Sequence, residues 1–222
     1  MSTIQHNLEY IKAQLPNGVT LVAVSKTKPV ELIQEAYDAG QRIFGENRVQ
    51  EMCDKHALLP ADIQWHMIGH LQTNKVKYMA SFVTMVHGID SLKLLAEVDK
   101  QASKCDRKID CLLQFHIATE ETKFGLDLEE ARELLNSEAY LQMHNVRIRG
   151  VMGMATFTDK VDQVKHEFKS LRTIFETLRD EFFEDRPDFD TLSMGMSGDY
   201  LLAVEEGSTL VRIGSSIFGS RL

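Results

Sequence analysis

The feature that most constrains the fold is the alternation of short apolar, β-rich runs with longer stretches of helical periodicity. This alternation is typical of βαβ units around a parallel sheet. The strand candidates are nearly continuous apolar runs, as in Leu112, Leu113, Phe115 and Ile117. Such runs indicate strands that are covered on both faces. The sequence therefore predicts an α/β fold and disfavours an open antiparallel sandwich.

The strand candidates number eight, which is the count that a closed (β/α)8 barrel of the TIM type requires. They span residues 19–26, 42–46, 64–68, 82–87, 110–117, 146–154, 191–196 and 209–213. Helical patterns separate them at 30–39, 48–56, 75–80, 92–103, 128–138, 160–183 and 200–205, and an extra helix near 4–15 precedes the first strand. In the stretch 160–183 apolar residues recur every three or four positions, so one helix face is expected to be buried.

The length of the chain fits one barrel. A barrel of this type takes about 250 residues, or roughly 200 with short loops, and this chain has 222. Because no repeat, Pro-rich linker or break in composition marks a boundary, we expect residues 1–222 to form a single domain. A doubly wound open sheet remains the structural alternative, since periodicity does not distinguish it from a barrel.

Composition excludes several classes of protein. The net charge is -8, with 25 basic residues scattered among 33 acidic ones, which disfavours a nucleic-acid groove. The amphipathic N-terminus lacks a signal-peptide core, and no apolar run is long enough to cross a bilayer. The three cysteines, with no CxxC pair, suit a reducing compartment. We therefore expect a cytoplasmic protein with no membrane or nucleic-acid partner.

Two loops rich in glycine and serine follow the last two predicted strands. Residues 193–199 read SMGMSGD, and residues 212–219 read RIGSSIFG. Barrels of this type commonly hold phosphate in these two loops. Glycine lets the backbone approach an anion, and a helix beginning at Ser197 or Ser215 would direct free N–H groups at it. Turns and helix caps are the alternative explanation for either loop alone.

Lys26 ends the first predicted strand, in VAVSKTKP, and would project into the same barrel mouth. A lysine that loses hydration becomes neutral more readily, and its amine then attacks carbonyl groups. A lone strand-end lysine is usually solvated. Together with a phosphate site across the barrel, however, it favours a ligand that carries both an aldehyde and a phosphate. Pyridoxal 5′-phosphate (PLP) is such a ligand.

Six blocks carry a family resemblance: VAVSKTKP from Val22, FGENRVQE from Phe44, WHMIGHLQTNK from Trp65, GVMGMA from Gly150, SMGMSGD from Ser193 and VRIGSSIFG from Val211. In this order, over nearly the whole chain, they resemble the pyridoxal phosphate homeostasis protein family, which is similar to the N-terminal barrel of alanine racemase. One departure is His70, where a proline or a small residue is more usual, and it affects only the shape of that loop.

The resemblance implies a fold type III PLP-binding barrel that carries PLP as a Schiff base on Lys26. It implies further that the phosphate lies at Ser197 and around Gly214 and Ser215. The remaining implied contacts are Arg212 at the pyridine nitrogen, Asn47 near the ring and Met194 in the pocket lining.

Arg212 also has a consequence that chemistry alone supplies. A guanidinium stays charged and cannot pass a proton to the pyridine nitrogen, so the cofactor would be a weaker electron sink than one paired with a carboxylate. Transamination is therefore disfavoured. A salt-bridged strand residue is the alternative interpretation of this arginine.

Other candidates have less support. His66 and His70 are four residues apart, but Gly69 and the β-like run 64–68 place them at a strand end, so a metal site is not expected. The charges of the segment 120–125 suit a solvated loop. Lys28 alternates away from Lys26 along an extended chain and would be an outer electrostatic contact.

Three functions remain open: a PLP carrier or regulator, an amino-acid racemase, and a Schiff-base aldolase. Racemisation needs proton donors on both faces of the carbanion, and Lys26 supplies at most one. In the racemases that the chain resembles, a tyrosine from a separate domain supplies the other, and this chain ends at Leu222. We therefore expect a monomeric, intracellular PLP homeostasis protein without efficient turnover, with PLP-dependent apoenzymes as candidate recipients.

Overall fold

Eight parallel strands close into a barrel in the computed structural model, which describes residues 2–119 and 124–219. The strands are β1 (Thr20–Val24), β2 (Ile43–Glu46), β3 (Gln64–Met67), β4 (Val83–Ile89), β5 (Ile109–Gln114), β6 (Val146–Met152), β7 (Thr191–Met196) and β8 (Leu210–Ile213). Each strand pairs with the next, and β8 pairs back onto β1 through Leu21 and Val211. The prediction of a closed (β/α)8 barrel is confirmed, and the open sheet is excluded.

Ten α-helices lie in the described part of the chain, one of them before the first strand, together with one 3-10 helix (Thr73–Lys75). They are α1 (Thr3–Gln14), α2 (Val30–Asp38), α3 (Val49–His56), α4 (Val76–Met79), α5 (Leu92–Lys104), α6 (Leu128–Asn136), α7 (Glu138–Leu141), α8 (Val161–Phe182), α9 (Tyr200–Glu205) and α10 (Ser215–Phe218). None of the helices within residues 2–119 and 124–219 has the length and apolar character that crossing a membrane requires.

The predicted helix 128–138 is two helices. Ser137 has an extended backbone (φ -68°, ψ 140°), and its hydroxyl accepts a hydrogen bond from the N–H of Tyr140, which caps α7. Serine side chains compete in this way for backbone groups that would otherwise continue a helix.

Strand ends differ too, since the first strand ends at Val24 instead of Lys26. The predicted solvated loop includes residues 120–123, which lie outside the described residues.

The core has two parts because alternate residues of a strand face opposite sides of the sheet. Most buried apolar side chains lie between the strands and the surrounding helices, among them Phe44, Trp65 and Phe168. A second cluster comes from inward-facing positions of five strands and occupies part of the barrel interior: Val22, Met85, Leu112, Met152 and Leu210. This packed interior leaves the carboxyl end of the barrel as the place for a site.

Candidate functional site

A cavity of about 850 Å³ opens at the carboxyl ends of the strands. Its walls come from the segments that follow β1, β2, β6, β7 and β8, at 24–28, 47, 154–159, 196–199 and 212–216. Six of the seven residues expected from sequence line it: Lys26, Asn47, Ser197, Arg212, Gly214 and Ser215. Residues that are distant in the chain therefore meet here because each stands at the end of a neighbouring strand.

Met194 is the exception. Its side chain is fully buried in the core between strands and helices, and the methionines of the cavity wall are Met154 and Met196. Ser193 faces the barrel interior, so Met194 must face outward. Gly195 has φ 97°, which interrupts the alternation of the strand and returns Met196 to the cavity. The expected position of Met194 in the lining is therefore corrected.

Lys26 is half-buried and lies in a turn, two residues beyond the end of β1. The residue that follows it, Thr27, has φ 63°, a left-handed conformation that a β-branched residue rarely adopts. Lys26 thus owes its position to a specific turn rather than to the alternation of a strand. Sequence periodicity gives no indication of such a turn.

Hydroxyl and amide donors collect at the ends of β7 and β8. Ser197, Gly198, Gly214, Ser215 and Ser216 line the cavity, and the N–H of Gly214 donates to the Ser197 hydroxyl at 3.2 Å. Helix α10 begins at Ser215, and N–H groups in the first turn of a helix lack partners within the helix. No helix begins at Ser197, because α9 starts at Tyr200. Of the two possible helix starts, the structure has the one at Ser215, and the predicted helix 200–205 corresponds to α9.

Lys28 connects the turn of Lys26 to this donor-rich end. Its Nζ donates to the carbonyl oxygens of Phe218 at 3.2 Å and Gly219 at 3.0 Å. These carbonyls lie at the carboxyl end of α10, where a cation is favourable. Lys28 thus contacts the far end of the short helix whose first turn lines the cavity.

Arg212 extends from β8 into the barrel interior and is 4% exposed. Its guanidinium donates to the Ser193 hydroxyl at 2.5 Å and to the Gly153 carbonyl at 3.0 Å. Burial lowers the pKa of Arg212 to about 10, and the charge of Asp199 opposes that shift. The guanidinium therefore stays charged at neutral pH, and both of these hydrogen-bond partners are neutral groups.

Two buried histidines extend this contact across the barrel. The Ser193 hydroxyl is 3.2 Å from Nδ1 of His87, and Nε2 of His87 is 2.9 Å from Nδ1 of His66. Burial lowers the pKa of His66 to about 3. Burial is also the main reason that the pKa of His87 lies well below its ordinary value, and electrostatic interaction with His66 and Arg212 lowers it as well. Both rings are therefore neutral at physiological pH.

The hydrogen bonds from Arg212 through Ser193 and His87 to His66 can all be formed with one assignment of protons, in which each group donates to the next. Arg212 has only donors, so the serine oxygen accepts from it and its one proton is free to go to Nδ1 of His87. Nε2 of His87 then carries the proton that Nδ1 of His66 accepts. Hydrogen bonds aligned in this way strengthen one another. The aligned dipoles of Ser193, His87 and His66 therefore stabilise the position of the Arg212 guanidinium.

His66 and His70, four residues apart in the sequence, have different surroundings. His66 is buried in the barrel interior, whereas His70 lies beyond β3, where its ring stacks on Phe124 with centroids 4.3 Å apart. Nδ1 of His70 is 3.4 Å from Asp90. Because β3 ends at Met67, the backbone leaves the strand between His66 and His70, and neither helix nor strand periodicity relates the two side chains.

The residues of the cavity fit an aldehyde that carries a phosphate. One side offers an amine, Lys26, and another offers hydroxyls and helix N–H groups, which are phosphate donors. Asn47 adds a buried side-chain oxygen with no hydrogen-bond partner within residues 2–119 and 124–219. Arg212 can donate to a ring nitrogen but cannot protonate it.

The sequence analysis did not identify the three residues that connect to Arg212 inside the barrel. Ser193 belongs to the SMGMSGD loop, His66 to the end of one predicted strand and His87 to the end of another, and the sequence predicts a role at the site for none of them. A polar residue at an inward position of a buried strand is the one signal that could have identified them. Their partners could not be found from sequence, because 21 residues separate His66 from His87 and 106 separate His87 from Ser193.

Comparisons with known proteins agree over the whole chain. The family model of the alanine racemase N-terminal domain matches residues 1–222. The chain is 40% identical over 236 residues to the pyridoxal phosphate homeostasis protein of Vibrio alginolyticus, and the match covers 100% of this chain and 99% of that protein. It is 41% identical over 206 residues to the protein of that name from Aquifex aeolicus, and the match covers 92% of this chain and 88% of that protein.

A solved structure is similar as well. PipY from Synechococcus elongatus PCC7942 is 37% identical, and the match covers 97% of this chain and 100% of that one. The TM-score is 0.90 to the structure without PLP and 0.87 to the structure with PLP bound.

Proposed function

The chain belongs to the pyridoxal phosphate homeostasis protein family, within the alanine racemase N-terminal domain family, and on that premise we propose that it binds PLP in the barrel cavity as a Schiff base on Lys26. The observation that carries the proposal is the presence of Lys26 and of the hydroxyl and amide donors of Ser197, Gly214 and Ser215 around one cavity. When bound, PLP supplies an aldehyde that condenses with primary amines.

Six of the seven expected site residues have a role in this proposal, and Met194 has none. Lys26 provides the amine, while Ser197, Gly214 and Ser215 bind the phosphate. Arg212 donates to the pyridine nitrogen, and Asn47 contacts the ring. Met196 and Met154 take the wall position that sequence analysis gave to Met194.

The visible absorption spectrum tests the proposal. We expect the purified protein, after incubation with PLP and dialysis, to keep an absorption band that Lys26→Ala lacks. Borohydride reduction followed by mass spectrometry should place the adduct on Lys26. Lys104→Ala, which changes an exposed lysine at the end of α5, is the matched control. A wild-type protein that retains no PLP would overturn the proposal.

We propose further that bound PLP is held and passed on without efficient racemisation. No tyrosine is among the residues that line the cavity in the described part of the chain. Tyr200, the nearest in sequence, is 8% exposed and packs in the core. Incubation of the loaded protein with L-alanine tests this point, and D-alanine formed well beyond the amount of protein would contradict it. Restoration of activity to a PLP-dependent apoenzyme would identify a recipient.

Three further expectations remain predictions. They are that residues 1–222 form one domain, that the protein is a monomer, and that it acts in the cytoplasm. Light scattering on the purified protein tests the second, and a dimer mass would contradict it.

A further inference from the structure

The turn 25–28, here called the lysine turn, has a backbone conformation that its own sequence does not favour. Thr27 has φ 63°, and no residue of the turn is a glycine. Such conformations persist where surrounding groups hold them. The lysine turn must therefore be stabilised by contacts from elsewhere in the protein.

Those contacts come from three charged residues, here called the clamp: Glu46 of β2, and Glu51 and Lys55 of α3. Lys55 Nζ donates to Glu46 and Glu51, at 2.7 Å each, and to the carbonyl oxygen of Ser25 at 2.8 Å. The same Oε1 atom of Glu51 accepts the N–H of Thr27 at 2.5 Å. The same Oε1 atom of Glu46 accepts the Ser25 hydroxyl at 2.6 Å.

The clamp holds both residues adjacent to Lys26. Ser25 is bound through its side chain and its carbonyl, and Thr27 through its N–H, so Lys26 is left between two fixed residues. Its direction then depends on the clamp, although none of these hydrogen bonds involves its own amine. A turn held in this way loses little conformational entropy when Lys26 binds a ligand.

Because Glu46 and Lys55 are buried, attachment of α3 to the barrel does not by itself explain why these positions are charged. Glu46 is 0% exposed and Lys55 is 6% exposed. Buried ion pairs often contribute no more stability than apolar residues of the same size. Their strength is in directed, charge-assisted hydrogen bonds, and here these end on the backbone on either side of Lys26.

We propose that Glu51 and Lys55 are positioning residues for Lys26, which hold Thr27 in its left-handed conformation so that the Lys26 amine is presented to the cavity. This inference rests on the proposed function, since it assumes that Lys26 binds an aldehyde. It concerns the orientation of the amine and adds no group to the chemistry.

Glu51→Ala tests the inference because it removes the contact to Thr27 at a site that is partly exposed. We expect PLP affinity to fall about tenfold, the loss that a charge-assisted hydrogen bond predicts. We also expect hydrogen–deuterium exchange of a peptide covering residues 25–28 to become faster in the protein without PLP. Asp54→Ala, which removes an exposed carboxylate from the same helix, should change neither quantity.

A second substitution separates positioning from general stability. Thr27→Gly makes the left-handed conformation acceptable without help, so the variant Glu51→Ala with Thr27→Gly should bind PLP more tightly than Glu51→Ala alone. If Glu51→Ala lowers the yield of folded protein, Glu51→Gln keeps an acceptor oxygen, and we expect its affinity to lie between those of the wild type and Glu51→Ala.

The outcomes that overturn the inference are specific. Wild-type affinity in Glu51→Ala, unchanged exchange of residues 25–28, or no recovery with Thr27→Gly would each show that Glu51 does not act through the lysine turn. Failure of the wild-type protein to bind PLP would instead overturn the proposed function, and the exchange measurement would still decide whether Glu51 holds the turn.

Discussion

His66 and His87 face each other inside the barrel, with Nδ1 of the first 2.9 Å from Nε2 of the second. Both rings are fully buried, and through Ser193 they connect to the guanidinium of Arg212. The buried guanidinium of Arg212 is thus connected to a line of three neutral side chains. This arrangement has consequences for stability and for binding.

The stability of the protein should fall as the pH is lowered from neutrality. The folded pKa of His66, about 3, lies below its ordinary value of 6.5, so between these values the unfolded state binds a proton that the folded state does not. The contribution is present above pH 6.5 and is lost progressively as the pH falls toward 3. For His66 the loss is about 2 kcal/mol by about pH 5.

Urea unfolding at about pH 7 and about pH 5 checks this expectation. His66→Asn removes the titrating ring and keeps a hydrogen-bonding side chain, so its free energy of unfolding should depend less on pH than that of the wild type. Equal pH dependence in the two proteins would mean that His66 is protonated in the folded state, or that its pKa is not lowered.

Ser193→Ala should weaken PLP binding. The substitution leaves a buried N–H of Arg212 without its hydroxyl acceptor, and Arg212 is then no longer linked to His87. We expect the dissociation constant to rise about tenfold, as for loss of a hydrogen bond to a charged group. Ser103→Ala, an exposed serine of α5, is the control. Unchanged PLP affinity in Ser193→Ala would show that Arg212 does not depend on its hydrogen bond to Ser193.

Lys28→Met should discriminate between two related ligands. Lys28 binds the carbonyls of Phe218 and Gly219 at the carboxyl end of α10, and the first turn of α10 lines the donor-rich part of the cavity. We therefore expect weaker binding of PLP and unchanged binding of pyridoxal, which lacks the phosphate. Lys93→Met, on the exposed face of α5, should affect neither ligand. Equal weakening for both ligands would instead place the effect of Lys28 on the lysine turn.

Gly150→Ala should destabilise the barrel strongly. Gly150 has φ 153°, and a Cβ there would lie 1.8 Å from the carbonyl oxygen of Thr191 on the neighbouring strand. We expect a loss on the order of 3 kcal/mol or more. Gly18→Ala is the matched control, because Gly18 also has a positive φ but nothing lies within 4 Å of the added carbon. Its loss should be about 1 kcal/mol, and similar losses for the two variants in urea unfolding would contradict the steric argument.

Much of the site follows from the rule that barrel enzymes and carriers place their working residues at the carboxyl ends of strands. Lys26 and the two loops that contain Ser197, Gly214 and Ser215 lie at or after the ends of predicted strands. The predictions for Asn47 and Arg212 come from the family resemblance. Met194 follows the inward-facing Ser193 and therefore faces the surrounding helices, and the break in alternation at Gly195 brings Met196 to the cavity instead. Lys26 was placed on a strand instead of in a turn, since hydrophobicity alone does not report φ angles.

The sequence by itself determined the order and type of the elements, because helix and strand periodicity are local properties of the hydrophobic pattern. It also indicated, through its glycine, serine and lysine positions, which strand ends carry chemistry. Only the tertiary structure decided that the strands close, that His66, His87, Ser193 and Arg212 form one chain, and that Glu51 and Lys55 hold the turn of Lys26. These contacts join residues that lie far apart in the chain. Which of them meet depends on the register of neighbouring strands and on the packing of α3 against the barrel, and a local pattern contains neither.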